Sequence, residues 1–417
     1  MALAAPLHAA AAPAYRTGTA AVIAPADAGD RYVPALARHG WNSVAVTEPA
    51  HHPDDNTGYL RHVTHRTSLR RTAAHLDRLG VQAVLAGSPA GTELADLLAA
   101  RLHLPGNALD TADIRRDAGL TSAALLDAGI TAPRSIRTAR LSNALEWATY
   151  TQTAELVLQH PDPTHPHPSS VCRTEDDIRS AWHRLHHSST QPLVLREHLA
   201  GTHYRIHTLT GPGPGPDGST DHSITAIWSE TRTADQQVCR ADLLSRHGLL
   251  ARALALYTMR TLTALGIRYG PAHATVTFIP DRGPALLSLR TDPYADFATD
   301  VLRQATGHDP IRDTALLLTT GNRPAARHRP HAHVTKIALL PRHDGALDHA
   351  LLRTITALPT VAATTELTAD TPVRADETTG WLLLVADDSR AINQDHQVIR
   401  AAENLGLYGR PVCTRPS

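Results

Sequence analysis

Histidine and arginine carry most of the chemical capacity of this 417-residue chain, which has 27 histidines and, at Lys336, a single lysine. His160, His165 and His167 lie in the segment HPDPTHPHP, and His203, His207 and His273 fall in apolar stretches further on. Imidazoles gathered in space can act as acid/base groups near neutral pH or as metal ligands. A plainer account is also available. The His160–Ser170 stretch holds four prolines and no helical spacing, so a solvated loop explains it. A strand histidine such as His273 can either face a cleft or be satisfied by a backbone partner. Glu197 and His198 form an adjacent acid and imidazole, Arg115 and Arg116 an adjacent pair of cations, and Asp292 and Asp296 read as a solvated turn. Cys172, Cys239 and Cys413 are widely separated without a CxxC pair, which argues against a disulfide framework and a zinc knuckle and fits a reducing cytoplasm. No metal site is expected.

Composition narrows the partners. The formal net charge is zero with the histidines neutral, and 42% of the chain is hydrophobic against 19% charged. This is the balance of an ordinary globular protein with no basic face for nucleic acid or an anionic membrane. The surplus of Ala, Arg, Thr, His and Pro fits a GC-rich, actinobacterial composition, which also accounts for the histidines without invoking metal. The stretch Ala2–Ala14 lacks the basic start and sustained apolar run of a signal peptide. No segment reads as a membrane span, and the expected location is cytoplasmic.

The elements that must position these residues follow from periodicity. Short apolar strands at Ala20–Ala24, Ser43–Val46 and Ala83–Ala86 alternate with helices at Tyr32–His39, Ser68–Leu79 and Thr92–Leu102, the pattern of a small open parallel sheet. A helix over Asp113–Ala128 closes on Gly129 with Pro133 beyond. Strands are expected at Glu155–Gln159, Leu193–Arg196, Tyr204–Leu209, Ile224–Trp228, His273–Ile279, Ala285–Arg290 and Trp381–Ala386, with helices at Glu175–His186, Asp242–Leu265 and Asp395–Asn404. The run GPGPGPDG from Gly211 to Gly218 reads as a long hairpin loop.

Four stretches in fixed order give the pattern a family likeness: LAGSPAGTELADLLAARLHLPGN (Leu85–Asn107), IRRDAGLTSAALLDAGITAP (Ile114–Pro133), LVLREHLAGTHYRIHTL (Leu193–Leu209) and LGIRYGPAHATVTFIPDRGPALLSLR (Leu265–Arg290). They resemble the ATP-grasp carboxylate-amine ligases, in particular the L-amino acid ligase branch that makes dipeptides, over nearly the whole chain. The resemblance implies an α/β and α+β architecture: an N-terminal open parallel sheet domain (1–107), an ATP-grasp unit split into a small subdomain (108–190) and a central subdomain (191–330), and a C-terminal lid (331–417). It also implies the chemistry, in which ATP phosphorylates a carboxylate and an amine displaces the phosphate.

Position by position, the resemblance places phosphate-binding lysines at Ala118 and Gln159, and metal carboxylates at Thr275 and Ser288. The loop that would fold over the phosphates is Pro161–Ser170, without a glycine. Arg290 stands where the family has asparagine and Asp292 where it has arginine. Glu197 and His198 keep the adenine hinge, His203 replaces the ribose glutamate, and His273 is retained. The expected site is therefore His273, Arg290 and His203 as candidate catalytic groups, with Glu197, His198, Gln159 and Arg116 as candidate cofactor-binding groups. The expectation is a degenerate relative of the ligases in an amino-acid-derived natural product pathway. It would need no cofactor, would bind an amino-acid-like small molecule, and would pair as a homodimer or with an intact ATP-grasp ligase. One alternative is an active ATP- and Mg²⁺-dependent ligase whose contacts are rearranged onto Arg115, Arg116, Asp281 or Asp292. The other is an ATP-independent enzyme using the cleft histidines.

Overall fold

A computed structural model describes residues 17–26, 28–49, 58–162, 169–186, 191–213, 219–245, 247–294, 296–324, 332–369 and 371–409. The expectations for Ala2–Ala14, His165, His167, Cys413 and most of the GPGPGPDG run fall outside these residues. The chain divides into two units, one formed by 1–106 with 311–324 and the other by 107–310 with 325–417.

In the first unit the strand Thr19–Ile23 pairs in parallel with Asn42–Thr47 and Val81–Ala86, and Arg61–Thr64 adds a parallel edge. Val44, Val46, Ala21, Ile23 and Val84 make near-continuous apolar runs because such a sheet is covered by helices. The edge strand Arg61–Thr64 is absent from the sequence expectations, since only Val63 of its four residues is buried.

The second unit holds two larger antiparallel sheets. The smaller runs Ser135–Thr138, Leu193–Glu197, Leu156–Gln159, Ser170–Cys172 in spatial order, and packs Ile178, Trp182 and Leu185 of the helix Glu175–His186 against Leu156, Leu158 and Leu195. The larger has eight strands in the order Gly283–Arg290, Gly270–Ile279, Thr202–Pro212, Thr220–Arg232, Val238–Leu243, His333–Leu339, Gly380–Ala386, Val361–Thr364. One face of its first strands is sealed by the helix Leu249–Ala264, where Leu254 and Leu262 meet Ile206, Ala274 and Val276. The last strands carry a separate core of Leu382, Leu384, Ile392 and Ile399 with the helix Ser389–Asn404.

Two expected helices are corrected. The stretch expected as one helix over Asp113–Ala128 is broken into Ala112–Arg116 and Ala118–Asp127. Asp117 leaves helical geometry between them, caps the second helix through Gly119 N and Leu120 N, and pairs with Arg137 at 2.5 Å. The helix expected over Asp242–Leu265 also starts later: Val238–Leu243 is a strand between two neighbours, and the helix starts at Leu249 after Gly248.

Gly201 joins the end of the small sheet to the large one. A Cβ there would overlap the carbonyl oxygen of Phe278 and crowd Thr277. Gly201→Ala is therefore expected to lower stability by about 2 kcal/mol, the range for forced overpacking. Gly248→Ala, with open space around it, serves as the control. Equal urea midpoints for the two variants would contradict the close approach.

Candidate functional site

Strand alternation gives the large sheet an apolar face under the helix Leu249–Ala264 and an opposite face rich in charge. On that second face, register places side chains in rows across the strands. Arg290, His273 and His207 stand directly opposite one another. The next row is Ser288, Thr275, Arg205 and Trp228. Beyond it come Thr277, His203, Glu230, Ala241 and Lys336.

The first row is organised by Asp292. Its carboxylate accepts from Arg290 Nε at 2.8 Å and from the Arg290 terminal nitrogen at 2.6 Å, a bidentate pair, and lies 3.5 Å from His273 Nε2. Burial would raise the Asp292 pKa, yet His273 and Arg290 overcome it and hold it at about 2. Burial dominates at His273 and keeps its pKa below the ordinary value, so the ring is neutral at pH 7. The partner of this strand histidine is thus a carboxylate rather than a backbone group. His207 stacks on the Tyr294 ring, 4.1 Å between centroids, and neither of its ring nitrogens has a hydrogen-bond partner among the described residues. Its pKa is driven well below the usual value, first by burial and then by His273.

In the third row His203 Nδ1 lies 3.1 Å from Thr277 Oγ1. Burial first, and then Arg232, lowers its pKa to about 4. Glu230 is shared by Arg205 at 2.8 Å and Arg232 at 2.5 Å. Lys336, 7% exposed, donates to Tyr294 Oη at 2.9 Å, pairs with Asp296, and sits 4.1 Å above the Trp228 ring. Burial pushes its pKa down, but Tyr294 and Asp296 more than reverse this.

The other candidate residues are placed apart from these rows. Glu197, at the end of the strand Leu193–Glu197, accepts from the Arg134 backbone and side chain and from Arg282 at 3.0 Å. Burial works to raise its pKa and the two arginines bring it below the usual range. Arg282 belongs to the turn between Gly270–Ile279 and Gly283–Arg290, where Asp281 and Gly283 both take positive φ, so this contact ties the small sheet to the large one. His198 Nδ1 lies 3.0 Å from Glu155. Gln159 Oε1 accepts from Arg196 Nε at 3.0 Å. Arg116 is exposed at the end of its short helix, whereas Arg115 is buried and donates to the Ala108 and Leu265 carbonyls, a structural anchor.

Two sequence readings are corrected here. Asp292 and Asp296 do not lie on a solvated turn; they are 4% and 5% exposed, because each has a cation to hold it. His160 is likewise buried, at 3%. Sequence reasoning also passes over Arg205, Trp228, Glu230, Tyr294 and Lys336 as site residues. The usable signal is Lys336 itself, the one lysine of the chain, in the middle of an apolar strand. Among the described residues no group of three or more His, Cys, Asp or Glu side chains is placed to hold a metal ion.

No protein-family model matches the chain, and no curated protein matches it. Solved structures do. An L-amino acid ligase from Bacillus licheniformis superposes with a TM-score of 0.74 at 13% identity, covering 94% of this chain and 98% of that one. An N5-carboxyaminoimidazole synthetase from Staphylococcus aureus, complexed with ADP, gives 0.69 at 12% identity, covering 93% and 97%. A phosphoribosylglycinamide synthetase from Anaerococcus prevotii gives 0.64 at 9%, covering 93% and 98%. A parallel-sheet unit followed by two antiparallel sheets, matched over almost the full length of each of these enzymes, is the ATP-grasp ligase fold, and that is the fold of this chain.

Proposed function

We propose that this chain is a relative of the carboxylate-amine ligases that binds a small carboxylate-bearing molecule on the charged face of its large sheet without phosphoryl transfer from ATP. One observation carries the reading. The positions at which the family resemblance expects two metal-binding carboxylates are Thr275 and Ser288, cross-strand partners in register, with Arg290 clamped on Asp292 beside them.

Magnesium takes hard, mostly anionic oxygen ligands. Two hydroxyls next to a guanidinium do not fit it, and Asp292 is already neutralised by Arg290. Gln159, at an expected phosphate lysine, supplies no charge and is bonded to Arg196. Glu197, at the expected adenine hinge, has its oxygens on Arg134 and Arg282. This set of side chains does not fit a magnesium–nucleotide complex. In this reading 108–190 and 191–330 are the small and central subdomains and 331–417 the lid, and the setting is amino-acid-derived metabolism.

Titration calorimetry with ATP, with and without excess Mg²⁺, tests the proposal together with an ADP-release assay on mixed amino acids. The expected result is no Mg²⁺-dependent binding and no amino-acid-stimulated ADP. Stimulated ADP release would overturn it and assign the phosphate contacts to Arg or Asp side chains.

A further inference from the structure

A cavity of about 280 Å³ opens on the charged face, bounded by Arg205, Glu230, Asp296 and Lys336 on its polar side and by Trp228, Trp381, Phe297 and Val238 on its apolar side. None of the site residues expected from sequence lines it. We propose that this cavity is a binding site for a small aryl monocarboxylate, aromatic amino acids included, with the carboxylate on Arg205 and the ring against Trp381 and Phe297. The proposal deepens the reading given above by naming the ligand class, and rests on it in taking this face as a surface for small molecules.

The charges decide which group binds where. Glu230 is 6% exposed and already accepts from Arg205 Nε and from Arg232. Asp296 is committed to Lys336, to the Tyr294 hydroxyl and to the Phe297 N–H. Each carboxylate already has its charge met by a cation, which leaves neither as a strong receptor for a ligand ammonium. Cations outnumber carboxylates in the ion pairs here: among the described residues Arg205 and Arg232 share Glu230, and Lys336 pairs with Asp296. The surplus is most accessible at Arg205, whose side chain is 40% exposed. Its guanidinium spends Nε on Glu230, and its two terminal nitrogens have no partner among the described residues. A guanidinium with free terminal N–H groups at the edge of a cavity is suited to a carboxylate.

The walls decide the rest of the ligand. Trp228 carries the Lys336 ammonium over its ring, which leaves Trp381, Phe297 and Val238 as the apolar surface. The volume is at the lower end for small-molecule sites, enough for one ring and a short acid arm. The ligand is thus predicted to need its carboxylate and to be indifferent to an amine.

The test is a titration of nucleotide-free protein, followed by the fluorescence of the two tryptophans in the wall and by calorimetry, with 3-phenylpropanoate, L-phenylalanine and phenethylamine. Both carboxylates are expected to bind, 3-phenylpropanoate at least as tightly as L-phenylalanine, while phenethylamine binds at least tenfold more weakly. Arg205→Met, which leaves Glu230 paired with Arg232, is expected to weaken 3-phenylpropanoate at least tenfold, with Arg205→Lys recovering part of the loss. Val238→Phe fills the cavity with every charge kept and is expected to abolish binding. Phenethylamine binding as tightly as the acids, unchanged affinity in Arg205→Met and Val238→Phe, or no response to either acid at millimolar concentration would overturn the proposal. The nucleotide titration reads the absence of phosphoryl transfer separately, so either idea can fail alone.

Discussion

Lys336→Met is expected to cost about 3–5 kcal/mol of unfolding free energy, the penalty for leaving a buried ion without its partner. Lys336 lies in mid-strand, flanked by Thr335 and Ile337, which are 2% and 0% exposed. Its ammonium pairs with Asp296, which is 5% exposed, and with the Tyr294 hydroxyl. Methionine fills the space of the alkyl stem and keeps the strand, so the loss isolates the charge. Asp296 would retain the Tyr294 O–H and the Phe297 N–H, which lessen the penalty but cannot neutralise a carboxylate out of water. The Trp228 ring would also lose the cation above it, about 2 kcal/mol when desolvated. Adding Asp296→Asn removes the stranded charge. Lys336→Met/Asp296→Asn should therefore recover more than half of the loss, a coupling between neighbours that a double-mutant cycle in urea measures directly. A single-variant loss under 1 kcal/mol, or a double variant no more stable than the single, would mean that the pair is solvated.

The same residue marks where sequence reading reaches its limit. The parallel-sheet unit is legible because each strand and helix there is a contiguous apolar pattern closed by its own turn. His273 and Arg290 can be brought together from sequence because they sit on one hairpin, across the turn Asp281–Gly283. Lys336 cannot be placed in that way. Its strand pairs Lys336 with Ala241, and its ion partner is 40 residues away on an irregular segment, so no local pattern connects them. The strand Val238–Leu243 misleads for a related reason. Its alternating Val238, Arg240 and Asp242 are only half-buried, so the segment lacks the apolar run that marks a strand in sequence. Asp292 and Asp296 read as solvated because carboxylates near prolines usually are. Their burial depends on Arg290 and Lys336, and only the folded sheet supplies the second of these.

Acidification from pH 7 to 4.5 is expected to lower the thermal midpoint by on the order of 5 °C, well before Asp292 is protonated. Four histidines of the second unit, His203, His207, His273 and His396, have pKa values held below the ordinary 6.5, in each case chiefly by burial, with His203 and His396 at about 4. Neighbouring cations add to the effect: Arg232 at His203, Lys336 at His207, and Arg400 with Arg240 at His396. The unfolded chain takes up protons at these rings near pH 6.5, while the folded protein takes them up only at lower pH, about 4 at His203 and His396. Stability therefore stands in full above pH 6.5 and falls as pH drops through that window. A tenfold difference in proton affinity between the folded and unfolded chain is worth about 1.4 kcal/mol, reduced for His203 and His396 by partial exposure; in a chain of this size a kcal/mol moves the midpoint by about 2 °C. Asp292 acts in a lower window. With its pKa at about 2 against the ordinary 3.8, its pairs with Arg290 and His273 hold above pH 4 and are lost toward pH 2. Scanning calorimetry at half-unit steps separates the two windows, and His203→Gln with His396→Gln should shrink the upper one while leaving the lower unchanged. A midpoint constant from pH 7 to 4.5 in the parent protein would mean that these rings are already solvated, and with them the charged face on which the proposed binding depends.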